Sequence, residues 1–564
     1  MNILGIWDGH DSGAALLQDG GLRFAVNEER LTRRKLEVAF PARSIAACLD
    51  HAGLRPGDVA LVAGTTSDPA KTLARLWPGS KERYYDVRRR KAEPGILAGA
   101  TRAIKYRMTE WGPNALSATL SHRALGSQLH RLGFECPVAL VDHHEAHAMT
   151  AAWASEFDAC TVITIDGLGD GVSSTVSAFR NGRLQRVAAT PARSSLGIFF
   201  EHVTSLLNMR ELEDEGKVMA LADYAAPVPD EQNPLLAWVR VRNGVIETEW
   251  PGHALRAPLA RVHWRSANEQ FAYMAQRALE GAMMQLARDA VRLTGLPKLA
   301  LAGGVVSNVK ATRQMRLLPD VEAVSVFPHM GDGGLALGAA LASAVARGTA
   351  LAAPPADFGL GESYSDGAIE AAIRTTGVPY VRVDDLPRTV ATRLAAGEVL
   401  MWFQGGMEYG PRALGHRSVL ARPDRADLRD RLNLVLKRRV WYQPFCPSML
   451  ASEAARLLED WDGGVNPHMT MAYAVRREHR CLTAAVTSID GTCRPQIVQD
   501  NAPGPFADLL RHARDLWQAG VVLNTSYNIH GEPLVCSPSD AIDVFIRSGA
   551  DALAIGPFLV SRPA

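Results

Sequence analysis

In the stretch VDHHEAHAMTAAW, residues 141–153, two histidines stand four apart, His143 and His147. A helix beginning near Asp142 carries both imidazoles on one face, about 5–6 Å apart, within reach of a single metal ion. An isolated HxxxH is also how a solvated helix start with one core histidine reads, so the pair needs support from elsewhere in the chain. Asp166 ends the β-branched run ACTVITID, just ahead of a glycine turn that opens with Gly167. A carboxylate at the end of a buried strand is costly to leave unpaired, so backbone amides or a cation must meet it, a metal being the sharper expectation. Asp332, between Gly331 and Gly333, holds the equivalent place at another strand-to-helix junction. His10 lies in the turn DGHDSG, where a histidine can serve as a general base near neutral pH or simply face water.

Other residues have the types that handle phosphate. Gly303 and Gly304 follow the strand KLALA and allow close backbone approach, while Asn308 can bond a ribose or cap the next helix. Lys217, just inside a helix in DEGKVMALADY, can lie over a phosphate or pair with Glu213 or Asp214. In the last third of the chain, Arg412, Arg417, Lys437, Arg494 and Asn524 all sit near turns beside apolar strands. Guanidinium forks match phosphate and carboxylate, and each such residue alone is an ordinary surface charge. Together they argue for a pocket that takes a small phosphorylated or acidic compound. From Lys81 to Arg107 nine basic residues face three acids. A solvated helical face or surface excursion is the expected reading, with attraction of an anionic substrate or product as the alternative.

The elements that must position these groups are strands that end in small-residue turns. ILGIW, AALLQ and LRFAV, separated by DGHDSG and DGG, open the chain as strand, glycine turn and hairpin. That is also how actin-like ATPase folds begin, because small residues let amides approach phosphate oxygens. Residues 44–53 read as a helix closed by Gly53, and Glu269 to Leu293 has helical spacing throughout. Two α/β halves, each ending in a glycine turn, outline a duplicated fold with a nucleotide in the cleft between them. The Ala-, Pro- and Gly-rich stretch 348–366 reads as a linker, which divides the chain into 1–350, a linker at 351–365, and 366–564. At 564 residues, with 47% hydrophobic and 21% charged residues, the composition is that of a soluble globular protein. The net charge of +1 argues against nucleic acid as a partner, and no apolar run is long enough for a membrane helix. The seven cysteines form no CxxC pairs, and no secretory signal precedes the first strand, so a cytoplasmic location is expected. A homodimer stays open.

The ordered motifs HDSGAAL, HHEAHA, SLGIFFEH, EGKVMALA, AGGVVSN, GDGGLALGAA, GPRALGHRS, PFCPSML and NTSYNIHGEPLV resemble the NodU/CmcH family of O-carbamoyltransferases nearly end to end. The family includes nodulation-factor and antibiotic-tailoring enzymes. The resemblance implies α/β and α+β architecture: a duplicated actin-like (ASKHA) N-terminal domain, similar to threonylcarbamoyl-transferring enzymes, followed by a YrdC-like C-terminal domain. It implies that carbamoyl phosphate and ATP, with Mg(II) as a companion of ATP, give carbamoyl adenylate in the C-terminal domain. A small hydroxylated acceptor is then carbamoylated in the N-terminal one. By motif, His143, His147, Asp166 and Asp332 correspond to an iron site and His10 to the acceptor's base. Gly167, Lys217, Gly303, Gly304, Asn308, Gly331 and Gly333 fall to the nucleotide, and Arg412, Arg417, Lys437, Gln443, Arg494 and Asn524 to carbamoyl phosphate. The residue types alone suit iron, manganese or zinc equally. Where several members have WRPFAPS this chain has Tyr442-Gln443-Pro444-Phe445-Cys446-Pro447-Ser448, so a neutral amide replaces a guanidinium, and either Arg438 or Arg439 compensates or carbamoyl phosphate binds more weakly. An unstable adenylate further implies closely docked domains. An actin-like kinase, a tRNA-modifying enzyme and a silent nucleotide-binding regulator are the alternatives. The histidine pair, the near-zero net charge and the presence of all these site residues argue against them in turn.

Overall fold

The computed structural model describes residues 1–96, 98–464 and 466–562. The chain groups into two compact units, Met1–Thr32 with Leu36–Ala356, and Arg33–Lys35 with the chain from Asp357 onward.

The first unit repeats one sheet topology. Strands β1 (Asn2–Trp7), β2 (Gly13–Gln18), β3 (Gly21–Asn27), β4 (Leu61–Thr65) and β5 (Val138–Val141) lie in the order β3-β2-β1-β4-β5. The first three form an antiparallel meander, while β1, β4 and β5 run parallel. Strands β6 (Ala159–Gly169), β7 (Val172–Arg180) and β8 (Arg183–Pro191) repeat the meander. After a separate hairpin, β9 (Val239–Arg242) and β10 (Val245–Thr248), strands β11 (Lys298–Ala302) and β12 (Ala323–Val326) extend the second sheet parallel to β6. Its order, β12-β11-β6-β7-β8, matches the first sheet strand for strand. This is the duplication the paired glycine turns led us to expect.

Two helices exchange between the halves. Helix His143–Ser155 leaves β5 of the first sheet but packs on β6, β11 and β12 of the second. Helix Leu335–Ala346 leaves β12 of the second sheet and packs on β1, β2 and β4 of the first, and against the histidine helix. The sequence LALGAALASAVA permits this because its first ten residues are all buried and mostly small. A Cβ at Gly338 would lie 2.2 Å from the carbonyl oxygen of Ala146, and one at Gly5 would lie 1.9 Å from that of Ala336. Such contacts exist only where glycine lets backbones touch. Between β4 and β5 the chain inserts helices Pro69–Leu76, Pro78–Arg88, Ala98–Glu110 and Ala115–Arg131. The expected helices at 44–53 and 269–293 are Ala42–Ala52, closed by Gly53 at φ 63°, and Asn268–Thr294, closed by Gly295 at φ 68°.

The second unit is built on one eight-stranded mixed sheet. Its strands are β13 (Tyr380–Arg382), β14 (Leu400–Phe403), β15 (Arg417–Ala421), β16 (Cys446–Leu450), β19 (Gln496–Val498), β20 (Val521–Ser526), β21 (Ala552–Ile555) and β22 (Phe558–Ser561), with a small pair β17 (Tyr473–Ala474) and β18 (Thr492–Cys493) apart. Alternate residues of β14 serve opposite cores. Leu400 and Trp402 pack with Leu386, Leu394 and Leu510, while Met401 and Phe403 pack with Ile373, Phe545 and Ile555.

Candidate active site and metal centre

The helix exchange brings together groups that are far apart in sequence. Asp142 caps the histidine helix by accepting from the Glu145 amide at 2.8 Å, and His143 and His147 follow on consecutive turns. Asp166 sits where β6 departs from regular pairing with β7, and Asp332 lies in the turn after β12. The His143 Nε2 lies 3.3 Å from Asp166 Oδ2 and 3.7 Å from Asp332 Oδ1, and His147 Nε2 lies 3.5 Å from the same Asp332 oxygen. One ligand atom from each of the four falls within 4.8 Å of the others, and all four residues are buried. All follow the carboxyl ends of parallel strands or lie late in them, which is where open α/β sheets place ligands.

These four fit a divalent metal. His147 Nε2 is buried without a hydrogen-bond partner, an orphan that a metal would satisfy. A Thr66 hydroxyl at 3.0 Å orients His143 through Nδ1, leaving Nε2 toward the carboxylates, the outer-shell arrangement typical of metal-binding imidazoles. The His143 amide donates to Asp170 Oδ2 at 3.0 Å, and the Gly304 amide donates to Asp166 Oδ1 at 2.8 Å, so the shell is braced on both sides. Burial disfavours charge on His143, yet Asp332 and Asp166 outweigh it and lift its pKa to about 9. Burial works against the Asp166 carboxylate too, but His143 and His147 hold it well below the usual range. Two carboxylates facing two imidazoles call for a cation, either a proton or a metal. His144, between the two, is structural: its ring bonds Thr164 Oγ1 at 2.7 Å and the Val172 carbonyl at 3.1 Å.

His10 joins the same cluster, with Nδ1 3.4 Å from Asp332 Oδ2. Burial pushes its imidazole down to about 4 against the pull of Asp332, so it stands neutral at pH 7. The Tyr85 hydroxyl approaches the same Nδ1 at 3.5 Å, from the inserted helix Pro78–Arg88. That insert meets the expectation of a solvated basic face only in part: Arg83, Arg90, Lys91 and Arg107 are exposed, whereas other basic residues turn inward. Arg88 is buried between Glu201 and Glu211, Arg102 bonds Glu211 at 2.7 Å, and Arg89 is 2% exposed. Arg88 and Arg102 turn inward because Glu201 and Glu211, far off in sequence, supply partners that composition could not reveal.

The residues expected around a nucleotide divide. Gly303, at φ 100°, packs where a Cβ would meet the Ile165 backbone at 2.3 Å, and Gly304 braces Asp166. A Cβ on Gly333 would strike the His329 ring at 2.2 Å, whereas Gly331 faces open space and Gly167 meets only Glu201 Oε1, at 3.5 Å. Asn308 caps helix Val309–Arg316 and exchanges two amide bonds with Gln276, at 2.8 and 3.0 Å, so its polar groups are engaged by the chain itself. Lys217 pairs with Asp214 at 2.7 Å, one of the two partners anticipated.

In the second unit a cluster of guanidiniums gathers near Cys446, whose Sγ accepts from Arg494 Nε at 3.3 Å and Nη2 at 3.0 Å. Burial and Arg494 together push Arg412 down to about 9, and its Nε is buried without a partner. Arg439 lies 4.2 Å over the Phe445 ring and is likewise pushed down to about 9 by burial. Arg438 is exposed, and Arg439 Nε donates to Asn433 Oδ1 at 2.7 Å. Gln443 Oε1 and Asn524 Oδ1 are buried and unpartnered. Arg417 and Lys437 stand differently. Arg417 donates to the carbonyls of Gln404, Gly405, His416 and Glu362, and Lys437 donates to those of Ser526 and Asn528. Both are pinned to the backbone of their own unit. Thr66, Asp170 and Tyr85 escaped the sequence reading. Thr66 alone carried a signal, since it directly follows a parallel strand.

Fold and centre together define a duplicated α/β protein with a buried two-histidine, two-aspartate cluster beside a neutral imidazole. The chain belongs to the carbamoyltransferase family: the profile described as carbamoyltransferase N-terminus matches residues 2–341 and that described as carbamoyltransferase C-terminus matches 391–562. It is a carbamoyltransferase of the NodU/CmcH type. Nodulation protein NolNO of Sinorhizobium fredii (strain NBRC 101917 / NGR234) is 31% identical over 98% of this chain and 79% of its own length. The 3'-hydroxymethylcephem-O-carbamoyltransferase of Streptomyces clavuligerus is 30% identical over 59% of this chain and 61% of its own. A solved structure, HypF of T. kodakarensis, is 14% identical over 62% of this chain and 49% of that one, with a TM-score of 0.35, too distant to carry an argument. Among the described residues no helix is long and apolar enough to cross a membrane.

Proposed function

We propose that this enzyme is an ATP-dependent O-carbamoyltransferase acting in two steps on a small hydroxylated acceptor. The observation that carries the reading is the convergence of His143, His147, Asp166 and Asp332 beside His10. In the C-terminal unit, YrdC-like by family resemblance, water releases phosphate from carbamoyl phosphate, and the carbamate oxygen then attacks the α-phosphorus of ATP, expelling pyrophosphate and giving carbamoyl adenylate. The guanidiniums of Arg412, Arg439 and Arg494 receive the phosphorylated substrate there, with Gln443 and Asn524 offering unpartnered oxygens to the carbamoyl NH₂.

In the N-terminal unit His10 accepts the proton of the acceptor hydroxyl, the hydroxyl oxygen attacks the carbamoyl carbon, and AMP leaves. Nitrogen donation into the carbonyl makes that carbon a poor electrophile, so the reaction needs a leaving group as good as AMP. His143, His147, Asp166 and Asp332 would hold a divalent metal, iron by family resemblance. When bound it would neutralise phosphate charge and polarise the leaving oxygen. Burial keeps His10 neutral and therefore able to take a proton across the physiological range. Incubation with labelled carbamoyl phosphate and ATP, without acceptor, tests the first step. AMP and pyrophosphate are expected, and ADP in their place would overturn the proposal. Addition of a CONH group to members of an acceptor panel, read by mass spectrometry, tests the second.

A further inference from the structure

The inserted helices place one arginine beside the reacting centre in an unusual condition. Arg89 is 2% exposed, and its Nη1 donates to the Leu36 carbonyl at 2.6 Å. Its Nε and Nη2 are buried with no hydrogen-bond partner. Those two nitrogens are the parallel donors with which a guanidinium grips a carboxylate or phosphate side-on. Arg88, next in the chain, shows the satisfied alternative, with Glu201 and Glu211 both on its guanidinium. Asp11 and Glu213 lie in the field of Arg89, and neither meets its Nε or Nη2. A buried polar group left unmet is costly, more so when charged, so a chain keeps one where a ligand completes it.

Its position says which ligand. The guanidinium carbon lies 5.2 Å from the Tyr85 ring centre, and the His10 ring is stacked obliquely against the same ring, centroid to centroid 5.4 Å. Lys105 Nζ lies 4.7 Å from that ring and donates to the Tyr85 hydroxyl at 3.4 Å. Tyr85 is thus bordered by the proposed base, by the Arg89 guanidinium and by the Lys105 amine.

We propose that the Arg89 fork is an oxyanion subsite beside His10, taking a carboxylate or phosphate of a molecule that reacts there. The inference rests on the two-step reading above. Two sources supply that chemistry, the phosphate of the adenylate donor and an anionic group on the acceptor, and binding experiments separate them. Metal-loaded full-length protein is titrated with AMP by calorimetry, and then, saturated with AMP, with acetate or inorganic phosphate. A tenfold or greater loss of AMP affinity in Arg89→Met identifies the donor phosphate as the ligand. Unchanged AMP affinity with loss of the second anion identifies the acceptor side. In either case Arg89→Lys, which keeps the charge but lacks the fork, restores affinity only in part. Wild-type affinities for both probes in Arg89→Met and Arg89→Lys overturn the subsite. The thermal midpoint of Arg89→Met is expected not to fall, because an unmet buried cation is removed; if that variant does not fold, Arg89→Lys decides by the same titrations. Production of AMP and pyrophosphate by wild type is measured in parallel, so failure of the two-step reading is seen separately from failure of the subsite.

Discussion

His143 shows how much chemistry one side chain inherits from its neighbours. Asp332 and Asp166 overcome burial and lift its pKa to about 9, so below that pH a metal must displace a proton to bind. Metal affinity is therefore expected to fall about tenfold per pH unit as the pH drops below 9, measured by chelator competition; a flat profile between pH 6 and 8 would contradict it. Asp332→Asn removes the carboxylate that His10, His143 and His147 share, and should abolish stoichiometric metal by elemental analysis. His10→Asn leaves the contacts among the four centre residues in place and removes only its own to Asp332. It should lower carbamoyl transfer by about 10²–10⁴-fold while leaving AMP and pyrophosphate formation intact, which assays of the two steps distinguish.

At the scale of elements, the centre depends on two helices approaching more closely than side chains normally allow. Gly338 faces the Ala146 carbonyl on the turn between His143 and His147. Gly338→Ala puts a methyl where a Cβ would lie 2.2 Å from that oxygen, and the helices must part. An overpacking cost of about 1–3 kcal/mol is expected in chemical denaturation, together with weaker metal binding in the folded fraction. Loss of stability with unaltered metal affinity would show that the helix pair does not set the centre. The elements were largely legible in the sequence: alternating apolar runs, glycine turns and Gly53 marked strands and helix ends before any contact was known. Asn308 shows the limit, since its amide reads equally as cap or ligand until Gln276, brought in by a distant helix, occupies it.

The whole molecule stores charge in its interior, and that sets its response to acid. Asp8 is buried against Arg75, at 2.8 and 3.0 Å, and Lys71, at 2.7 Å. Burial raises its pKa, but Arg75 and Lys71 prevail and hold it well below the usual 3.8. A carboxyl depressed on folding contributes stability that is present above its unfolded pKa and is lost as pH falls through the folded one. Melting followed from pH 6 downward should therefore show this contribution intact to about pH 4 and declining below, and Asp8→Asn should remove that dependence. The substitution should also cost about 3–5 kcal/mol at neutral pH, because Arg75 loses its carboxylate. The sequence by itself determined the duplicated strand-and-turn pattern, the types of the four centre residues and the family, because these are local periodicities and ordered motifs. Only tertiary structure decided that Arg88 and Arg102 of the basic insert turn inward, that Lys437 and Arg417 bond backbone, and that Arg89 is left unmet. Each of those outcomes depends on which distant carboxylate or carbonyl the fold delivers, and a guanidinium reads the same in sequence whether it finds an acid, a carbonyl or nothing.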